Sequence, residues 1–125
     1  MADSPAGLTL RLAEEHLNAA LDEINSGRLN FAVFHIQQAI EKSLKALLLS
    51  RNMDVRTHKL SGLISLAGIE LDDELLLSLA EIEREYTRSR YYTPGFNPLT
   101  DYHIEDVSRW YEAARRIYNM VGSKL

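Results

Sequence analysis

Arg51 and His58 are separated by six residues, and their types suit phosphodiester chemistry without a metal. An imidazole titrates near neutrality, so His58 can take a proton from a hydroxyl or return one to a leaving group. A guanidinium stays charged and presents a planar fork of donors, which fits Arg51 to steady a phosphate. A competing reading gives the two residues structural duties only: Arg51 closes one helix, while Thr57 and His58 cap and start the next. A second constellation is basic and aromatic, with Lys42 and Lys45 in one segment and Arg88, Arg90, Tyr91 and Tyr92 in another. If the two segments are neighbours, the cations would meet phosphates and a tyrosine ring would meet a base, which describes a nucleotide or single-stranded RNA site. Here too there is an alternative: the lysines line a solvated face and pair with Glu41 or the acidic first helix. Arg88 and Arg90 then complement a helix dipole.

The remaining histidines are His16, His35 and His103. No pair has the i,i+4 spacing beside a carboxylate that a zinc site needs, so no metal is expected. His35 lies on a mostly apolar helix and reads as a partly buried, hydrogen-bonded side chain. No P-loop, dinucleotide-binding glycine run or nucleophile elbow occurs, and no cofactor is expected. Glu14, Glu15, Glu81, Glu83 and Glu85 follow solvated helix faces.

Helical spacing recurs through the chain and strand-like alternation is nearly absent. The first helix reads from about Leu8 to Asn25, with Gly27 just past its end. The second runs from an Asn30 cap to about Arg51, with Val33, Ile36, Ile40, Leu44 and Leu47 in one stripe. So apolar a helix should sit centrally. A short third helix follows Thr57 and ends at Gly68. The fourth spans about Asp72 to Arg90, acidic at its start and basic at its end, as the dipole favours. Two prolines and a glycine make residues 91–100 a loop. The fifth helix follows an Asp101 cap to about Gly122, with Ile104, Val107, Tyr111, Ala114, Tyr118 and Val121 in register. Trp110, Ile117 and Met120 lie off that stripe and suggest a dimer seam. The fold class expected is all-α: an up-down four-helix bundle with an additional short helix, as one domain over 1–125.

With 46% hydrophobic and 26% charged residues, the 125-residue chain has the make-up of an ordinary globular protein. It has no cysteine, which excludes disulfides, thiolate metal clusters and thiol nucleophiles. A net charge of −4 argues against broad, non-specific nucleic-acid binding but leaves room for a local basic site. No apolar run approaches membrane-spanning length, and Met1 to Pro5 do not look like a signal peptide. A cytoplasmic protein is expected.

Four stretches, in order, resemble the HEPN domain family. They are Ala13 to Ala20 with Gly27 to Phe34; Gln37-Gln38-Ala39-Ile40-Glu41-Lys42-Ser43-Leu44-Lys45-Ala46-Leu47-Leu48; Arg56-Thr57-His58-Lys59-Leu60; and Tyr86-Thr87-Arg88-Ser89-Arg90-Tyr91-Tyr92. The resemblance covers about residues 10 to 121. It implies a four-helix bundle with an extra short helix, often a homodimer, in a nucleotide- or RNA-associated binding and interaction role. It also implies a minimal nucleotidyltransferase as partner, in toxin–antitoxin fashion. Other members resemble metal-independent endoribonucleases that use an Arg and a His four to six residues apart, which would assign Arg51 and His58 as catalytic. The tyrosine that usually follows such a histidine by two places is missing, since Leu60 stands there. The binding role is therefore preferred over the enzyme.

Overall fold

The computed structural model describes residues 4–125 as five helices: α1 (Pro5–Asn25), α2 (Leu29–Ser50), α3 (Leu60–Ala67), α4 (Asp73–Arg88) and α5 (Ile104–Lys124). Met1, Ala2 and Asp3, part of the stretch read for a signal peptide, lie outside the described residues. The chain is all-α, as its periodicity indicates.

Local chemistry sets the helix ends. The first helix begins earlier than its apolar stripe suggests, because the Ser4 hydroxyl accepts a bond from Gly7 N (3.0 Å) and Pro5 takes the first helical position. Gly27, at φ +81°, then turns the chain. Arg28 N closes onto Glu23 O, and α2 starts at once. Asn30 therefore falls inside the first turn and is not the cap expected of it. The α3 start is also different. Thr57 accepts a bond from Lys59 N, but the helix opens at Leu60 and is capped from outside, by Glu83 accepting from Ser61 N (3.0 Å). Asp72 caps α4 through Leu75 N (2.8 Å), in line with the acidic start read from sequence. Asp101 caps nothing: it turns back to accept from Asn97 N, and α5 begins three residues later.

The central element is α2, which touches all four other helices, while α1 packs on α5 and α4 packs on α3 and α5. The four long helices thus form a closed ring, α1–α2–α4–α5, with α2 and α5 also meeting across it. Its interior is filled by Leu17, Ile36, Ile40, Leu44, Leu48, Leu75, Ile82, Val107 and Ile117, all 2% exposed or less. Trp110 and Ile117 belong to this core and Met120 packs against it, so these residues are not a free dimer seam. Ile104, expected in the buried stripe, is 50% exposed at the helix start.

The loop after α4 is tied down by a buried carboxylate. Glu85 is 2% exposed, takes a two-pronged bond from Arg88 and accepts from the Tyr102 hydroxyl (2.7 Å). The Glu85 side chain is thus no part of a solvated face. Phe96 follows a Pro94-Gly95 turn, with Gly95 at φ +82°, and lies under the Arg88 guanidinium at 3.9 Å.

Candidate functional site

Gln37, Glu41 and Lys45 follow one another at four-residue spacing along α2, which stacks them on one face of the helix. That face points toward the segment before α3 and the last turns of α4. Glu41 is 1% exposed, and its carboxylate accepts from three donors: His58 Nδ1 at 3.0 Å, Lys45 Nζ at 3.1 Å and Gln37 Nε2 at 3.2 Å. Burial pulls its carboxyl group upward in pKa, but the bonds from His58, Lys45 and Gln37 outweigh burial and hold it below the usual carboxylate value. Glu41 is consequently ionised at neutral pH and only accepts hydrogen bonds. This places a proton on His58 Nδ1, which donates to Glu41; in the neutral ring Nε2 then holds the lone pair.

The imidazole of His58 stacks on Tyr86 of α4, with ring centroids 5.8 Å apart and planes 18° from parallel. Arg90, just past the end of α4, places its guanidinium 4.4 Å from the Tyr86 ring centre and 5.0 Å from that of Phe34. Its Nε donates to Tyr86 O (3.1 Å), and its two terminal nitrogens have no partner among the described residues. An open cleft of about 650 Å³ lies here, lined by Arg56, Thr57, His58, Lys59, Ser61, Glu83, Tyr86 and Thr87. Glu83 is the one carboxylate in that lining, and it is already engaged by Ser61 N and Oγ. A second hollow, of about 560 Å³, sits between the ends of α1 and α2, but its lining holds Asp54 and no cation. It offers a phosphate no cationic side chain.

The residues singled out from sequence separate into two groups. Lys45, His58 and Arg90 come together through Glu41 and Tyr86, and Tyr91 adds its ring 5.1 Å from the Arg90 guanidinium. The others go elsewhere. Arg51 donates to Ala67 O (2.7 Å), clamping the end of α2 to the end of α3, and no bond joins it to His58. Arg88 is committed to Glu85. Lys42 faces α1, where its charge helps lower the pKa of His16, an effect smaller than those of burial and the neighbouring His35. Tyr92 is 85% exposed on the loop. His35 is half-buried and bonded to Glu23, as its place on an apolar helix indicates. Sequence reasoning missed Glu41 and Tyr86 as site residues. The available signal was position: Glu41 shares the inward row of Gln37, Leu44 and Leu48, where an unpaired charge would be costly. Among the described residues, no three His, Asp or Glu side chains come together to hold a metal ion, and no helix is long and apolar enough to cross a membrane.

Residues 6–124 match the family model described as HEPN domain. Among curated proteins, the chain is 27% identical to the Methanocaldococcus jannaschii protein named "Putative toxin MJ1304", over 93% of this chain and 85% of that one. Among solved structures, it resembles TT1696 from Thermus thermophilus, with 25% identity, a TM-score of 0.85 and coverage of 96% of this chain and 98% of that one. It also resembles ST0689, described as an archaeal HEPN homologue, with 28% identity, a TM-score of 0.79 and coverage of 95% and 96%.

Proposed function

Because the chain belongs to the HEPN domain family, we propose that it is a binding and interaction module for a phosphate-bearing ligand, a nucleotide or single-stranded RNA. The ligand lies in the cleft between the α3 entrance and the end of α4. The observation that carries this reading is Arg90: its guanidinium is propped on the Phe34 ring and on Tyr86, itself a lining residue of the cleft, with two terminal nitrogens unpaired. Holding a charged fork in place without a carboxylate partner leaves it free for an external anion. Lys59, exposed and unpaired in the same lining, adds to the field. The exposed Tyr91 ring offers a stacking face for a base.

Titration of ATP and a short single-stranded RNA into the protein tests the reading. Arg90→Ala should weaken binding by about 1–3 kcal/mol with little change in thermal stability. Absence of binding by the unaltered protein to either ligand would remove the proposal. The interaction half of the reading is a homodimer that acts with a minimal nucleotidyltransferase. Leu8, Leu12, Leu76 and Leu77, each more than 40% exposed, are the apolar surface that such contacts would cover. Sedimentation as a monomer at tens of micromolar would count against the dimer (on the order of a weak Kd). The ribonuclease alternative loses support from the Arg51 bond to Ala67 O, which takes the guanidinium to the far end of α3.

A further inference from the structure

Glu41 and His58 form a carboxylate–imidazole pair that ligand binding does not require. The buried Glu41 carboxylate pins Nδ1–H at 3.0 Å and Tyr86 supports the ring face, while the His58 side chain is 61% exposed. In the neutral ring Nε2 therefore carries the unshared pair; it has no hydrogen-bond partner among the described residues and belongs to a residue lining a cleft with Lys59, Thr57 and Thr87. A nitrogen in that state is a nucleophile, and the carboxylate on the opposite ring nitrogen stabilises the positive charge the ring gains as the nitrogen attacks.

We propose that His58 is a phosphoryl-acceptor site, modified at Nε2 by a donor of the phosphoramidate or acyl-phosphate class. In the step, the Nε2 pair forms the N–P bond as the donor's bond to phosphorus breaks, and the leaving group departs with that bond's electrons. With phosphoramidate the leaving group is ammonia. The Nδ1 proton stays between His58 and Glu41, so the ring needs no other base and the transfer no other reactant. Lys59 in the lining draws the donor's charged oxygens to the cleft, and Arg90, outside the lining but on the Tyr86 ring, adds its charge to the field. Glu83 opposes this: Ser61 N and Oγ engage one of its oxygens but leave its charge in the lining. The proposal stands apart from nucleotide or RNA binding.

The molecule supplies its own control. His103 is exposed, and its side chain makes no capping bond and has no carboxylate on either ring nitrogen. The whole protein would be incubated with phosphoramidate at neutral pH. Acid-labile phosphate would be followed by intact mass and peptide mapping, and the bonded nitrogen assigned by phosphorus NMR. His58 should be labelled about tenfold faster than His103, the effect of one charge-assisted hydrogen bond to the charged ring, and the phosphate should sit on Nε2. In Glu41→Gln the His58 rate should fall to that of His103. Equal rates at the two histidines of the unaltered protein would overturn the proposal whether or not the variant folds, as would phosphate on Nδ1 of His58.

Discussion

Replacing Glu41 with leucine removes a carboxylate that is 1% exposed and strips three donors of their acceptor. Their exposures decide the cost. Lys45 and His58 have side chains 18% and 61% exposed, so both turn to water, and each loses only the net worth of its bond. For a charged lysine this is about 1 kcal/mol, and for the exposed histidine less. Gln37 is 1% exposed; its amide oxygen still accepts from Gln38 Nε2, but its amide nitrogen keeps only a long 3.4 Å contact to His58 O. Leaving it short of an acceptor costs about 1–3 kcal/mol. The added apolar burial of leucine offsets part of this, so the loss should be about 2–3 kcal/mol at pH 7. Urea unfolding followed by helical circular dichroism measures it, with a fall in midpoint and no change in slope. The sign of the pH dependence also follows. A carboxyl group held below its ordinary value contributes stability above the unfolded pKa of about 4.3, and that contribution is lost as pH falls through the folded value. The gap between Glu41→Leu and the unaltered protein should therefore narrow in acid, leaving the Gln37 share, which a protonated carboxyl group still satisfies. A loss under about 1 kcal/mol at pH 7, or a gap that does not narrow in acid, would refute the claim that this carboxylate organises the site.

Tyr102→Phe should cost about 1–2 kcal/mol, because it removes a 2.7 Å bond to the buried Glu85; an unchanged unfolding midpoint would show that bond to be idle. The pKa of His16 is lowered by burial and then by His35 and Lys42. The unfolded chain thus binds more protons below about pH 6.5, and stability should decline as the solution is acidified from there, less so in His16→Gln; parallel pH profiles would contradict this. The purified protein should not cleave RNA without metal above a buffer blank, because Arg51 and His58 serve different partners. Robust cleavage lost in both Arg51→Ala and His58→Ala would restore the enzyme reading.

The helices were legible because each leaves a local signature: the apolar stripe of α2, Asp72 before α4, and Gly68 in the left-handed conformation after α3. What failed was chemistry with two local uses. Asn30 and Asp101 are good capping types, yet the short α1–α2 link and the Asn97 turn claim those positions first. The candidate site was half legible. Lys45, His58, Arg90 and Tyr91 could be chosen by type, but their grouping depends on contacts between distant segments. Spacing along the chain joined His58 to Arg51. The fold joins it to Glu41, seventeen positions away, across the α2–α3 turn. Likewise Arg88 and Arg90 look equivalent at a helix end. Only the packing of the following loop reveals that one serves Glu85 while the other keeps its terminal nitrogens free.

Mapping amide and imidazole NMR shifts during titration with a short single-stranded RNA tests the binding reading most directly. The shifts should concentrate at residues 56–61 and 86–91, including the His58 and Arg90 side chains, and should shrink in Arg90→Ala at the same RNA concentration. Shifts confined to α1 or to the hollow near Leu125, or none at all, would contradict it.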